Sequence, residues 1–341
     1  MNFIKTLIRN RGTLRFFTSS NTRNICELHP CIRLVKKDTH NAHRKELLYS
    51  FTVAFSLTKL YEIVGLDENK EIKKMVQKAK HHLGDGEIDE ACQVFNKALL
   101  AAVASHDEEH EFMIKEHLAK VSFFLKKYED AEKLFVEVRN HFISKGLQLD
   151  DLKMAYVNLK LAELYGFMKD ETKAHEYYKY CTKGLKKKIT VALQNRDDEV
   201  ISLWIMSLTS RAHFSTNRGS FDKAYKYFKK AYDACLLIHG ELSEHAVTLL
   251  QRMGVVCFQI GNLESAVEYL KKATELGKHL PGMEKLSNAH ITLGNIYIKQ
   301  GFLKDATAMC TEGYKNAVRH KYEQGIQEAN ACLEELKRAT S

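Results

Sequence analysis

The sequence predicts an all-α fold, an α-solenoid of about six helical hairpins that ends in a C-terminal capping helix. Two observations predict it. Only 2 prolines occur in 341 residues, whereas average usage of about 5% would give roughly 17, so few positions interrupt a helix. Small residues also recur in pairs 12 positions apart, and the pairs repeat at steps of 40 to 50 residues. A period of this length is typical of stacked helical hairpins.

Residues 1–45 form a basic N-terminal segment, which we interpret as a mitochondrial presequence and a basic linker. Within residues 1–26 there is no acidic residue, and apolar and hydroxylated residues alternate with the basic ones. This composition is typical of a mitochondrial presequence and differs from a secretory signal, which needs an unbroken apolar core. A disordered basic arm is the alternative. The basic residues of the presequence are Lys5, Arg9, Arg11, Arg15 and Arg23.

Residues 46–67 form an apolar segment that could cross a membrane once. Leu47–Thr58 contains no charge but spans only 12 residues, about 18 Å of helix, against a hydrocarbon core of roughly 30 Å. The longer stretch 47–66 could span if the Lys59 side chain reaches the interface. An interfacial helix and a soluble packing helix are the alternatives.

The folded part carries little net charge. The chain holds 52 Lys and Arg and 43 Asp and Glu, a net charge of +9, of which residues 1–45 account for +8. Nucleic-acid-binding proteins keep a basic surface in the folded part, so this class is disfavoured. One local basic run, Lys183–Lys188, is interpreted as a solvated helix end, with contact to an acidic or phosphate-bearing partner as the alternative.

Residues 70–341 contain six repeats of one pattern. Each repeat has a small residue, an alanine 12 positions later, then a bulky residue and usually another small one. Antiparallel helices approach closely only where one presents a small side chain, so each repeat is predicted to be a helical hairpin. The pattern resembles the tetratricopeptide repeat. The six sets are Ala79, Ala91, Phe95, Ala98; Ala119, Ala131, Phe135, Val138; Ala162, Ala174, Tyr178, Cys181; Ala212, Ala224, Phe228, Ala231; Gly254, Ala266, Leu270, Ala273; and Gly294, Ala306, Cys310, Gly313.

The segments between these positions predict the turns and the end of the array. Four glycines are predicted to end the first helix of their hairpins: Gly86, Gly219, Gly261 and Gly301. The third and fourth repeats are 50 residues apart, so Lys183–Val200 is predicted to lengthen the helices there. Residues 322–341 are predicted to form the capping helix, with Ile326, Cys332, Leu333 and Leu336 on its apolar side.

No recognisable set of catalytic, metal-binding or cofactor-binding residues is present. The 8 cysteines lack metal-ligand spacing and are predicted to be reduced core residues. His106 and His110 have the spacing of a zinc-binding helix, but Asp107 stands where such an enzyme needs glutamate. The chain has no glycine-rich phosphate loop or nucleophile elbow. We therefore predict a non-enzyme, with a metal-dependent hydrolase as a remote alternative.

The concave surface of the array is the predicted binding site. In tetratricopeptide arrays the first helix of each hairpin lines this surface, and its candidate residues form a mixed, partly apolar set that suits a peptide or a helix. Charge substitutions at Phe123, Tyr156 and Ile291 are expected to weaken partner binding without unfolding the array. The candidate partner-binding groove consists of Met113, Glu116, Lys120, Phe123, Tyr156, Leu159, Glu163, Met206, His213, Gln251, Val255, Asn288, Ile291, Asn295 and Ile298.

Two segments, Leu159–Ile189 and Ile238–His245, carry a closer resemblance. With the presequence and the apolar segment in the same order, the chain resembles the mitochondrial tetratricopeptide repeat protein 19 family over residues 70–341. The resemblance implies a non-catalytic protein of the inner mitochondrial membrane. It also implies an association with respiratory complex III, whose assembly or maintenance such proteins support by handling the Rieske iron–sulfur protein.

The sequence leaves open on which side of the membrane the repeats lie, and it leaves one alternative function. The basic flank before the apolar segment favours the intermembrane space for the repeats, but the lysines within residues 70–80 oppose it. A cytosolic cargo adaptor like the kinesin light chain, whose repeats have a similar spacing, is the alternative function. It is disfavoured because such an adaptor has no use for a presequence.

Overall fold

The computed structural model describes residues 70–281, 283 and 285–340. Within these residues all regular structure is α-helical, and the helices form antiparallel hairpins of the predicted class. The presequence, the basic linker, the apolar segment 46–67 and two cysteines, Cys26 and Cys31, lie outside them. In the described part of the chain no helix has the length and apolar character needed to cross a membrane.

The described residues form thirteen helices. They are α1 (Lys70–Gly84), α2 (Ile88–Ala104), α3 (Glu108–Phe124), α4 (Tyr128–Ser144), α5 (Leu152–Phe167), α6 (Glu171–Asn195), α7 (Asp198–Asn217), α8 (Phe221–His239), α9 (Glu244–Ile260), α10 (Leu263–Gly277), α11 (Leu286–Gln300), α12 (Leu303–Arg319) and α13 (Glu323–Thr340).

The chain divides into two compact units. The described part of the first unit is residues 70–138, and that of the second is residues 139–340, so the division falls within α4. In the first unit α2 contacts both α1 and α3. In the second unit each helix from α5 onward contacts the next, and α13 packs on α11 as well as on α12.

The repeated small residues lie where the helices cross, as the sequence predicts. The alanines of the second helices have no exposed surface: Ala91, Ala131, Ala174, Ala224, Ala266 and Ala306. On α9 and α11 the first-helix position is glycine for a steric reason. A Cβ atom added at Gly254 would lie 2.5 Å from Cγ of Leu270, and one at Gly294 would lie 2.5 Å from Sγ of Cys310. The close approach of these helices therefore requires glycine.

The turn inside each hairpin has one residue in the left-handed conformation. The four predicted glycines have positive φ angles, from 69° at Gly219 to 88° at Gly261. Two lysines take the equivalent place in the other hairpins, Lys126 with φ 58° and Lys169 with φ 61°. A side chain in this conformation costs about 1 kcal/mol or more, so these two turns are less favourable than the glycine turns.

The extra residues of the third and fourth repeats lengthen their helices, as predicted. α6 has 25 residues and α7 has 20. Arg196, with φ 54°, ends α6, and the Asp197 side chain then accepts a hydrogen bond from the Val200 amide at the start of α7. The connection from α4 to α5 lies directly on α6, since a Cβ atom at Gly184 would collide with the carbonyl oxygen of Leu149.

Cys310 on α12 and Cys332 on α13 form a disulfide bond. The prediction of reduced core cysteines is wrong for this pair, because α13 folds back on α12 and brings the two Cα atoms to 5.9 Å, a distance typical of disulfides. The four other cysteines of the described residues are buried and reduced, as predicted: Cys92, Cys181, Cys235 and Cys257. Burial raises the pKa of Cys181 to about 12, so it is unreactive as a nucleophile.

Candidate functional site

The candidate residues of the first unit lie on α3, and most of them are buried. Met113, Glu116 and Lys120 are each less than 9% exposed, and the Glu116 carboxylate pairs with the Lys120 ammonium one turn away. Phe123 is half-buried, with its ring centroid 6.0 Å from that of Tyr128. The buried ion pair belongs to the packing of α3, which leaves Phe123 as the accessible candidate in this unit.

A buried histidine lies beside this ion pair. The ring of His117 packs against that of Phe95 with centroids 5.3 Å apart. Burial lowers its pKa well below the ordinary value, and the nearby ammonium groups of Lys120 and Lys80 lower it further. His117 is therefore neutral near pH 7, and it contributes to the core rather than to a charged binding surface.

In the second unit the candidates on α5 and α7 are only partly accessible. Tyr156 and Leu159 are buried, whereas Glu163 is half-buried and accepts a hydrogen bond from Lys160 at 2.9 Å. On α7, Met206 and His213 are half-buried. The His213 ring meets the Phe228 ring edge-on at 5.1 Å. Burial is the main cause that lowers the pKa of His213 to about 4, and the positive charges of Arg252 and Lys285 lower it further.

The candidates on α9 and α11 come together around a cavity of about 430 Å³. Five of the predicted groove residues line it, while Ile298 packs instead against the hydrophobic core beside it. The volume lies within the range of small ligand sites, which is also enough for a few residues of an extended peptide. The lining residues are Thr248, Gln251, Arg252, Val255, Lys285, Asn288, Ile291, Thr292, Asn295, Glu328, Ala331, Cys332 and Glu335.

Three carboxamide side chains give this cavity its polar character. Nε2 of Gln251 donates to the carbonyl oxygen of Lys285 at 2.5 Å, which fixes Gln251 against the segment that leads into α11. Oδ1 of Asn288 accepts from the Ser287 hydroxyl at 3.3 Å. Oδ1 of Asn295 is buried, and no described residue donates a hydrogen bond to it. A carboxamide offers a donor and an acceptor, which is the complement of a peptide group. The cavity can therefore pair with the backbone of an extended peptide.

One wall of the cavity comes from α13, which sequence reasoning assigned only a capping role. Glu328, Ala331, Cys332 and Glu335 form one stripe of this helix and face α9 and α11 across the cavity. The stripe places two carboxylates opposite Arg252 and Lys285. These four residues are spaced by one, three or four positions, so the sequence indicates that they share one face of a helix. The sequence does not indicate which helices that face contacts, because this depends on how α13 folds back.

The two histidines with zinc-like spacing do not converge on a site. His106, with φ 56°, lies in the connection between α2 and α3. His110 is buried, and its Nδ1 lies 2.7 Å from the carboxylate of Asp107, which also caps α3 by accepting from the His110 amide. Among the described residues no group of three His, Cys, Asp or Glu side chains could hold a metal ion.

Comparisons with solved structures agree with the fold. A signal transduction ATPase with a tetratricopeptide repeat sensor from Pyrococcus horikoshii superposes with a TM-score of 0.58 at 14% identity, covering 87% of this chain and 44% of that one. Aspartyl phosphate phosphatase F from Bacillus subtilis gives a TM-score of 0.57 at 14% identity, covering 88% of this chain and 80% of that one. At this identity the similarity establishes the fold alone.

Sequence comparisons are more specific. A tetratricopeptide repeat family model matches residues 204–278. The Drosophila melanogaster protein named tetratricopeptide repeat protein 19 homolog, mitochondrial, is 22% identical over 85% of this chain and 79% of its own length. Tetratricopeptide repeat protein 19, mitochondrial, from Danio rerio is 27% identical over 71% of this chain and 62% of its own length. The protein of the same name from Homo sapiens is 23% identical over 80% of this chain and 70% of its own length. Repeats of this kind bind other proteins, and the chain is a tetratricopeptide repeat scaffold that is similar to the tetratricopeptide repeat protein 19 family over most of its length.

Proposed function

We propose that this protein is a non-catalytic adaptor at the inner mitochondrial membrane that supports the assembly or maintenance of respiratory complex III by handling the Rieske iron–sulfur protein. The names of its relatives support the mitochondrial location. The basic segment 1–26 has the composition of a presequence, which gives independent support. The role at complex III is what the resemblance to this family implies.

The observation that carries the proposal is the carboxamide-lined cavity of the second unit. It lies on the first-helix side, where the sequence predicts the groove, and the carboxamides of Gln251, Asn288 and Asn295 line it. An extended segment of a complex III subunit would pair its backbone with these carboxamides, while Val255 and Ile291 would contact an apolar side chain. Backbone recognition of this kind suits a protein that handles a partner without modifying it.

The disulfide between Cys310 and Cys332 supports the intermembrane space as the side on which the repeats lie. Disulfides persist in oxidising compartments and are rare where thiol reductants predominate. The basic residues before the apolar segment 46–67 favour the same orientation. Protease added to mitochondria with a ruptured outer membrane and an intact inner membrane should then digest the repeats. Full protection of the repeats would place them in the matrix instead.

Copurification from mitochondria tests the adaptor role. Thr248 is exposed and lines the cavity on α9, so Thr248→Lys narrows the cavity and adds a positive charge beside Arg252. We expect this variant to recover much less complex III than the wild-type protein. Gln259→Lys makes the same charge change at an exposed position of α9 away from the cavity, and it should recover the wild-type amount.

Two results would each contradict one part of the proposal. If the wild-type protein recovers no complex III subunit, the function is wrong. If both variants recover the wild-type amount, the adaptor role stands but this cavity is not the docking site.

A further inference from the structure

Two second helices of the second unit, α6 and α8, both pack on α7. The Tyr178 hydroxyl of α6 is 2.7 Å from the Ser210 hydroxyl of α7, and Phe228 of α8 packs against His213 of the same helix. Arg211 of α7 connects the two. Its guanidinium is 3.5 Å from the Thr182 hydroxyl on α6 and 4.8 Å from the ring centroid of Tyr227 on α8. Both helices run antiparallel to α7, so their C-terminal ends point the same way.

The positive charge of the second unit is concentrated on this pair of helices. α6 and α8 together contain ten lysines and four acidic residues. The next second helices are nearly balanced, with two basic and three acidic residues on α10 and three basic and two acidic residues on α12. The basic run noted in the sequence is therefore one part of a larger surface that also includes α8.

Six exposed lysines on this surface have no ion-pair partner among the described residues. We call them the lysine face: Lys179, Lys183 and Lys186 on α6, and Lys223, Lys226 and Lys230 on α8. Most acidic residues of the two helices are already engaged. Glu176 accepts a hydrogen bond from Tyr180, Glu171 pairs with Arg218 at 2.6 Å, and Asp233 lies 4.0 Å from Lys229. Asp222 lies in the first turn of α8, where its charge favours the helix dipole.

Exposed apolar side chains adjoin the lysine face at the C-terminal ends of both helices. Val191 on α6 is 55% exposed, Leu193 is 37% exposed, and Leu237 on α8 is 54% exposed. Large apolar side chains at the edge of a strongly basic surface are typical of proteins that lie on a membrane, where the apolar groups enter the headgroup region. The acidic residues that follow, Asp197 and Asp198, belong to the start of α7, where Asp197 caps the helix.

We propose that the lysine face binds the surface of an anionic phospholipid bilayer. All six cations are lysines, which act as hydrated point charges and suit a diffuse field of lipid phosphates. Recognition of a defined carboxylate or phosphate by an acidic protein more often uses the planar fork of arginine. The exposed apolar residues at the helix ends give the second contact that stable membrane binding requires. None of the lysine face lines the cavity, so both surfaces can be occupied at once.

Vesicle flotation with the full chain tests this proposal. Vesicles of phosphatidylcholine with an equal amount of phosphatidylserine are compared with vesicles of phosphatidylcholine alone, so that any binding by residues 46–67 is common to both. The wild-type protein should prefer the anionic vesicles, and added salt should weaken the preference. The basic segment 1–45 is the same in every variant, so a difference between variants belongs to the substituted lysines. A triple variant with Lys183→Gln, Lys186→Gln and Lys230→Gln should bind anionic vesicles about 100-fold more weakly, since each lysine near such a surface contributes about fivefold.

The control removes the same charge elsewhere in the second unit. The control variant replaces three other exposed lysines by glutamine, namely Lys304, Lys315 and Lys337. Its preference for anionic vesicles should stay within a few-fold of that of the wild-type protein. Circular dichroism checks that both triple variants keep the helical fold. Equal loss in the two variants would overturn the proposal, and so would equal binding to the two kinds of vesicle. Loss of complex III recovery by the lysine-face variant, with vesicle binding intact, would assign the lysine face to an acidic protein instead.

Discussion

Ala224 and its counterparts in the other second helices have no exposed surface. At these positions the sequence pattern alone identified both the contact and its reason, because a small side chain at a fixed spacing is needed wherever two helices cross. The left-handed residues Lys126 and Lys169 were not predicted. Their left-handed conformation follows from the closure of the turn, and a lysine carries no local signal for it.

Replacing Ala224 by arginine should unfold the fourth hairpin. The substitution overpacks the crossing of α7 and α8 and buries an unpaired charge, so the free energy of unfolding of the second unit should fall by about 3 kcal/mol or more. Ala308→Arg on α12 is the control, because Ala308 is exposed and the change there should be within about 0.5 kcal/mol. Urea unfolding measures both. Equal stability of the two variants would refute the helix-crossing role of the repeat alanines.

Replacing Lys169 by glycine should stabilise the protein. Lys169 has φ 61° in the turn between α5 and α6, and it is exposed, so the change relieves backbone strain and removes no buried contact. The expected gain is about 1 kcal/mol, partly offset by the extra chain entropy of glycine. Lys179→Gly, within α6, should instead lose about 1 kcal/mol. A lower melting temperature for Lys169→Gly than for the wild type would contradict this account of the turn.

The second unit should lose stability in mild acid through His213. Its pKa is about 4 in the folded protein and near 6.5 when unfolded, so the unfolded chain binds more protons between these values. Stability that is full above pH 6.5 is therefore lost as the pH falls toward 4, by about 2 kcal/mol between pH 7 and pH 5. His213→Gln should reduce this loss, whereas the exposed His279→Gln should not. Urea unfolding at the two pH values measures the difference, and an unchanged loss in His213→Gln would contradict it.

Burial decides which predicted groove residues are suitable for functional tests. Tyr156 is 2% exposed and Ile291 is 5% exposed, so a charge at either position would disturb the core, and the expectation that such changes leave the array folded does not hold. The sequence locates the first helices and their register. It does not show which members of a helix face are covered by the next hairpin, because that depends on the distance and angle between hairpins.

At the scale of single elements, α13 differs most from its predicted role. Its apolar side packs on α11 and α12 as a cap, with Ala329, Cys332 and Leu336 buried, which the amphipathic pattern predicts. Its polar stripe also forms a wall of the cavity, and its Cys332 is linked to α12. The amphipathic pattern of residues 322–341 predicted the helix and its buried side. The wall and the disulfide depend on the position of α13 against two other helices.

Reduction of the disulfide should destabilise the C-terminal end of the second unit. Cys310 and Cys332 close a loop of 22 residues, for which chain entropy predicts about 3 kcal/mol of stabilisation. Hydrogen exchange within α13 should therefore accelerate when a thiol reductant is added. A variant carrying both Cys310→Ala and Cys332→Ala should exchange fast with or without the reductant. Two extra alkylated thiols in the untreated, unfolded wild-type protein would show that the disulfide is absent.

Across the whole described chain, the second of the two compact units carries two different surfaces. The second unit combines a carboxamide-lined cavity on its first-helix side with a lysine face on α6 and α8. The repeat pattern predicted the hairpins and the cavity residues on α9 and α11. It did not predict that charge would gather on two neighbouring second helices, since Lys223 and Lys230 are separated from Lys183 in the sequence by the whole of α7.

Photo-crosslinking from the cavity in intact mitochondria is the most direct test of the central proposal. A photoreactive amino acid in place of Thr248 would project at the cavity, and one in place of Gln259 would lie on the same helix away from it. The account predicts that the probe at position 248 forms a covalent adduct with a subunit of complex III, foremost the Rieske protein, and that the probe at position 259 does not. Adducts from position 248 that contain no complex III subunit, in mitochondria where the complex is assembled, would contradict it.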